Sequence, residues 1–499
     1  MPANSTTNDA AAAGHAGLIA DALRRVPGGM YVGGSWREAS DGSTFDVEDP
    51  ASTERLCDVP DATVVDGAAA LDAAAGAQAA WAATEPRVRS ELLREVHERL
   101  LADREALAVL MTAEMGKPLE QARGEVVYAA EFFRWFAEEA VRIDGRVTVP
   151  PLGDHRIEVL RRPVGPTLAI TPWNFPLAMG ARKIAPAMAA GCTTVLKPAP
   201  QTPLSSLALA AICHEAGVSA GVVNVVTTIR AAEVVGGLLT DPRLRKLTFT
   251  GSTEVGRVLL RGAADNVLRV SMELGGNAPL IVCDDADLDV AVEGAMLAKM
   301  RNMGQACTAA NRIFVQRPMF ETFTEAFAAR IGALTVGPGL DAGVDVGPMI
   351  DADAVTKIES MVTDAVDRGA TIVNEQASLP ERGHFVAPTV LTGVDPKAPM
   401  SCSEIFGPVA AIHPFDDDAA VLDMANDTEH GLVGYVFTTN RERSRRFVAG
   451  LEVGLVGINR GIVSDPAAPF GGVKQSGVGR EGGREGIEEF LEIMCVSEA

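Results

Sequence analysis

The chain has 499 residues, 47% of them hydrophobic and 22% charged, with a net charge of -22 at pH 7. At ~150 residues per domain this length suggests about three structural units, enough to hold a cleft between lobes. The acidic balance argues against nucleic acid, which calls for clustered Lys and Arg to displace counterions, and no apolar run approaches the ~20 residues of a membrane span.

The start, MPANSTTNDAAAAGH, lacks the basic and apolar regions of a signal peptide and reads as a disordered tail over residues 1–15. After it, MYVGGSWREASDGSTFDVEDP is Gly-rich and extended, and the Ala-, Leu- and Glu-rich stretch from Val64 to about Val141 has the apolar spacing of several helices. RIDGRVTVPPLGDHRIEVLRRP alternates charged and apolar residues around a Pro-Pro-Leu-Gly turn, which predicts a long exposed hairpin open to a partner strand. From Thr167 the pattern changes to short β-rich runs, TLAI, TTVLK, VVNVV and KLTFT, each followed by a helical stretch. A second such series runs through RIFVQ, TIVNE, VAAIHPF, YVFTT and GLVGIN. Alternating strands and helices predict an α/β chain of two doubly wound parallel-sheet lobes plus the hairpin, with no internal repeat.

Seven scattered cysteines (Cys57, Cys192, Cys213, Cys283, Cys307, Cys402 and Cys495) include no C-x-x-C pair, so neither a disulfide framework nor a metal site is expected. A reducing cytoplasm fits that usage. Five positions carry candidate chemistry. In KLTFTGSTEVGRVLL a strand runs through Gly251 and Ser252 into a helix, whose free N–H groups suit a pyrophosphate, although the turn departs from G-x-G-x-x-G. Lys197 ends a strand, where open α/β sheets bind ligands. In ITPWNFP, Pro172 and Pro176 fix a loop that can hold Asn174 as a rigid amide donor between Trp173 and Phe175. Glu273 in SMELGGN places a carboxylate at a strand end, where burial would raise its pKa toward that of a general base. Cys307 in KMRNMGQACTAANR lies on a loop of small residues six positions after a lone arginine, Arg301.

Together PWNFP, ELGG, GQAC and EIFGPV, in this order, resemble the aldehyde dehydrogenase superfamily from about Met30 to the carboxyl terminus. The resemblance implies that Cys307 is the nucleophile, Glu273 the base, and Asn174 with the backbone N–H of Cys307 the oxyanion hole. It implies ribose contacts from Lys197 and Glu404, nicotinamide packing by Phe406, and a dinucleotide site lined by Trp173, Gly251 and Ser252. Pro200 stands where NAD-selective relatives carry a glutamate, so the expected coenzyme is NADP or NAD, with a lean to NADP. Arg182, Arg301 and Ser464, with Phe175 beside them, resemble the substrate site of the succinate semialdehyde dehydrogenases, whose substrate carries a carboxylate. Both arginines are expected to lack a protein counter-ion. Ala309, in place of a second cysteine, implies no disulfide gate.

The resemblance also implies the layout. Residues 1–15 form the tail, residues 16–141 and 164–272 a coenzyme-binding domain, residues 273–482 a catalytic domain, and residues 142–163 with 483–499 oligomerisation segments that pair across subunits of a homodimer or homotetramer. Glu492 is expected to bridge Arg269 and Arg480. The implied activity is oxidation of succinate semialdehyde, with glutarate semialdehyde or a general aldehyde as the alternative substrate, a CoA-acylating relative disfavoured by Glu273, and a non-catalytic homologue disfavoured by Cys307, Glu273 and Asn174 together.

Overall fold

The computed structural model describes residues 5–499, with side chains described from residue 14 onward. The first sheet runs in the order Ser35–Arg37, Met30–Val32, Val223–Val225, Thr194–Lys197, Thr167–Ile170, Lys246–Thr250, Arg269–Glu273, Gly477–Val478. Its five middle strands are parallel and its edges antiparallel. These parallel strands are short and covered by helices on both faces; Thr167–Ile170, Thr194–Lys197 and Lys246–Thr250 are buried throughout. The chain steps from the central strand Thr167–Ile170 to one side and then returns to the other, which opens a crevice at the carboxyl ends between it and Lys246–Thr250. Pro172 to Asn174, Lys197, Gly251 and Glu273 all stand at that end of the sheet.

Glu273 closes the last parallel strand of this sheet, and residues 274–277 lead straight into Ala278–Val282 of the second. The second sheet runs Thr371–Ile372, Thr389–Thr392, Val409–Phe415, Ala310–Gln316, Ala278–Val282, Val433–Phe437, Leu455–Ile458, parallel but for its first strand. Each sheet has its own apolar core. Helices Val64–Ala83, Pro86–Ala102, Arg104–Met115 and Leu119–Glu139 fill the predicted helical stretch, and Leu119–Glu139 packs along Pro176–Ala190.

Three expectations are corrected. A helix, Ser5–Leu23, occupies most of what reads as a disordered tail, its Ala-rich stretch having high helix propensity; residues 1–4 of that tail lie outside the described residues. The hairpin Arg146–Thr148 and Arg156–Pro163 does not leave its inner edge to another subunit, since the chain's own tail strand Leu491–Glu498 pairs along it from Leu491 opposite Pro163 to Glu498 opposite Arg156. The sequence pattern marks a strand edge in need of a partner but not whose strand fills it. Glu492 reaches Arg269 at 3.5 Å, but Arg480 instead donates to the carbonyls of Gly472 and Gly479, and its backbone N–H faces Glu489 at 3.4 Å.

Candidate active site

A cavity of about 260 Å³ opens between the two sheets, with Cys307, Glu273 and Asn174 in its lining. Cys307 is carried on the turn between the 3-10 segment Arg301–Gly304 and strand Ala310–Gln316. Three successive left-handed residues, Asn302, Met303 and Gly304, bend the chain there. Gly304 tolerates no side chain, because a Cβ would lie 2.1 Å from the carbonyl oxygen of Gly407. Gly276 faces the same restriction from the other side, its Cβ position being 2.6 Å from the carbonyl oxygen of Cys307. The glycines of GQAC and ELGG therefore let two backbones close around the thiol.

Asn174 is buried and tied to that turn by its Nδ2, which donates to the carbonyl of Gln305 at 3.0 Å. This acceptor fixes which end of the amide faces the turn, and the amide's second hydrogen remains for the cavity. The thiol of Cys307 is pushed up to about 12, by burial first and then by the carboxylates of Glu404 and Glu273, against the pull of Arg182 and Arg301. It is thus protonated at neutral pH without a ligand and needs a proton acceptor. Glu273 fits that need: burial, and then the neighbouring Glu481, hold its carboxyl well above the usual range, and its Oε2 has no hydrogen-bond partner.

The two arginines are not equivalent. The Nε of Arg182 lies 2.8 Å from Oε2 of Glu481, without the alignment of a hydrogen bond, and Lys183 donates to the other oxygen. Burial alone would raise the Glu481 carboxyl, but Lys183 and Arg182 outweigh it and hold it below the usual range. The expectation that both arginines lack a counter-ion is therefore wrong for Arg182, because Glu481 arrives from a loop that the local sequence around Arg182 does not reveal. The guanidinium of Arg182 also lies 3.8 Å from the ring centre of Phe470. Arg301, by contrast, makes no ion pair among the described residues; its guanidinium sits 5.0 Å from the ring centre of Phe175 and 5.8 Å from that of Tyr128. The Tyr128 hydroxyl meets Oγ of Ser464 at 2.8 Å, and all four of these residues line the cavity.

At the cavity's other end Trp173 and Phe406 meet edge to face at 5.4 Å, beside Gly251 and Ser252. A side chain at Gly251 would strike the Phe249 ring at 2.5 Å, and Ser252 caps helix Thr253–Ala264 by accepting from the N–H of Val255. Glu404 accepts from the N–H of Gly276 at 3.3 Å, and burial pushes its carboxyl up to about 7. Lys197 is buried with no charged neighbour among the described residues, burial alone bringing it down to about 8. It ends its strand next to the cavity rather than lining it, and the same holds for Pro200 in the following turn.

The family model for the aldehyde dehydrogenase family matches residues 36–496. The chain belongs to the aldehyde dehydrogenase family. It is 54% identical over 441 residues to a succinate-semialdehyde dehydrogenase of Paenarthrobacter nicotinovorans, covering 88% of this chain and 98% of that one. It is 49% identical over 468 residues to a glutarate-semialdehyde dehydrogenase of Pseudomonas aeruginosa, covering 93% and 97%. The crystal structure of an Escherichia coli NADP-dependent enzyme superposes with a TM-score of 0.93 at 47% identity, over 95% of this chain and 98% of that one.

In this aldehyde dehydrogenase the structure brings Arg182, Arg301, Ser464 and Phe175 to the same cavity as Cys307. Sequence reading passes over Tyr128, Phe470, Lys183 and Glu481. Tyr128 comes from helix Leu119–Glu139, far from every motif, and offers no local signal. Lys183 and Arg182 do carry one, since two adjacent charges inside the otherwise apolar MGARKIAPAMAA require buried partners. No helix among the described residues is long and apolar enough to cross a membrane.

Proposed function

We propose that this aldehyde dehydrogenase oxidises succinate semialdehyde to succinate with NADP or NAD, with NADP preferred. The observation that carries the substrate is Arg301, a cation without an ion-pair partner, facing the same cavity as Cys307 beside the Tyr128–Ser464 hydroxyl pair. An arginine fork matches a carboxylate, so an aldehyde with a carboxylate at its far end satisfies both ends of the cavity.

The chain's residues divide the work. Glu273 takes the thiol proton, and Sγ of Cys307 bonds to the aldehyde carbon while the carbonyl electrons move onto oxygen. Asn174 Nδ2 and the backbone N–H of Cys307 donate to that oxyanion. Bound coenzyme supplies the hydride acceptor, which leaves the carbon as a thioester on Cys307. Once Glu273 has released the thiol proton to solvent it takes a proton from water, whose oxygen adds to the thioester carbon; the C–S bond breaks and that proton passes from Glu273 to the departing sulfur, freeing succinate and the cysteine.

The coenzyme end suits a dinucleotide in its residues. Lys197 is a buried ammonium without a counter-charge, the helix starting at Thr253 presents N–H groups, Glu404 can accept from ribose hydroxyls, and Trp173 and Phe406 form an apolar wall. Pro200 offers no carboxylate to repel a 2′-phosphate. In this reading residues 16–141 and 164–272 serve the coenzyme, residues 273–482 catalysis, and residues 142–163 with 483–499 self-association in the cytoplasm. Exposed Val147 and Ile493 on the three-stranded sheet, with Leu152 in its hairpin turn, support the last role, as apolar surface suited to a second copy.

Glutarate semialdehyde is the second reading, favoured by the Pseudomonas aeruginosa relative and by a guanidinium that recognises the carboxylate rather than the chain length. Initial rates on succinate semialdehyde, glutarate semialdehyde and butyraldehyde separate these. The four-carbon acid should have the highest kcat/KM, and a preference for butyraldehyde would overturn the carboxylate reading.

A further inference from the structure

Helix Pro176–Ala190 begins two residues after Asn174, and its N-cap residue, Phe175, has no side-chain oxygen to satisfy the free N–H groups of the first turn. The missing acceptor comes from elsewhere. Oε1 of Glu125, on helix Leu119–Glu139, accepts from the backbone N–H groups of Leu177 and Ala178, each at 3.1 Å. The other carboxylate oxygen of Glu125 is bound by the ammonium of Lys117, and both side chains are 1% exposed. Lys117 in turn donates to the backbone carbonyl of Asn174 at 2.7 Å and lies 4.3 Å from the ring centre of Phe175. Nδ2 of Asn302, on the turn that carries Cys307, donates to the same carbonyl at 3.0 Å.

A buried ion pair is a poor means of stabilising a fold, because desolvating both charges offsets their attraction. Its hydrogen bonds here all fall on one short segment, residues 174–178, from the carbonyl of Asn174 to the amide of Ala178. We propose that Lys117 and Glu125 are positioning residues for the reaction: together they clamp the backbone on both sides of Phe175 so that the Asn174 amide is held rigidly toward the oxygen of the tetrahedral adduct. Donors that stabilise an oxyanion act through preorganisation, so a loosened amide costs rate in the step that forms the oxyanion while leaving coenzyme binding alone.

The proposal rests on Asn174 being the oxyanion donor, and the test separates the two. First-turnover formation of reduced coenzyme from succinate semialdehyde is measured by stopped flow for Lys117→Met, Asn174→Ala and the double variant, with coenzyme Kd measured alongside. Lys117→Met should slow the first turnover at least tenfold with coenzyme Kd within twofold, and should add almost nothing to Asn174→Ala, because both act through one amide. Loss by the same factor on both backgrounds, or a wild-type first turnover in Lys117→Met, would overturn the clamp while leaving the role of Asn174 intact. A wild-type first turnover in Asn174→Ala would overturn both. If Lys117→Met does not fold, the isosteric Glu125→Gln replaces it; a first turnover slowed about threefold, absent on the Asn174→Ala background, supports the clamp, and an unchanged rate refutes it.

Discussion

Replacing Arg301 by alanine removes a charge that no carboxylate among the described residues neutralises, so the loss should depend on whether the substrate carries one. Truncating one partner of a buried, hydrogen-bonded charge pair costs ~2 to 5 kcal/mol. Arg301 keeps partial exposure, which points to the low end, ~2 kcal/mol, or about thirtyfold in kcat/KM at 1.36 kcal/mol per decade. On butyraldehyde, which has no carboxylate, the same variant should lose less than about threefold. Arg182→Ala should behave differently, because it leaves Glu481, beside Glu273, with only Lys183 paired to it and so disturbs the site whichever aldehyde is present. The assay is initial rate against concentration for both aldehydes at saturating NADP. Equal losses on both aldehydes in Arg301→Ala would refute the carboxylate contact and leave that arginine a structural role.

The other expectations concern protons and coenzyme. Glu481→Gln removes the carboxylate that, after burial, most raises Glu273; the base should then lose its proton at lower pH, moving the acid limb of the kcat profile downward, and an unmoved or raised limb would contradict this. With the Cys307 thiol pushed up to about 12, its alkylation by iodoacetamide in the ligand-free protein should accelerate close to tenfold per pH unit between about pH 7 and 9, read by peptide mass spectrometry; a rate already at plateau near pH 7 would contradict it. Pro200→Glu should shift the NADP/NAD ratio of kcat/KM toward NAD, since a carboxylate repels the 2′-phosphate; an unchanged ratio would remove Pro200 from coenzyme choice.

The alternation of short β-rich runs with helical stretches made both parallel sheets readable, because a strand buried on both faces is short and rich in β-formers, as the fully buried Lys246–Thr250 is. Glu273 and Asn174 were legible for a related reason, each standing where such a run gives way to glycine or proline, whereas Cys307 precedes its strand and was legible only through GQAC taken with the other motifs. Residues that reach the cavity from other elements were not. Lys117, in Gly116-Lys117-Pro118, looks like a solvated turn, and only the fold shows it enclosed. Glu125 did leave a trace, a charge on the face of helix Leu119–Glu139 otherwise made by Ala122, Val126 and Ala129. Periodicity shows that such a carboxylate is buried but not which helix start it serves. The arginines illustrate the same limit: Arg182 and Arg301 look alike in sequence, and only the arrival of Glu481 separates an ion-paired cation from a free one.

The covalent step can be observed directly. Glu273→Gln, mixed with succinate semialdehyde and NADP, should reduce one equivalent of coenzyme per active site, more slowly than the unaltered enzyme, and then stop, because hydroxide from solvent can still take the thiol proton whereas the thioester has lost the base that activates its water. Mass spectrometry of the quenched protein should then find a succinyl thioester on Cys307 and on no other of the seven cysteines. Coenzyme reduction with Cys307 unmodified, or an adduct on a different cysteine, would contradict the assignment of this thiol as the nucleophile.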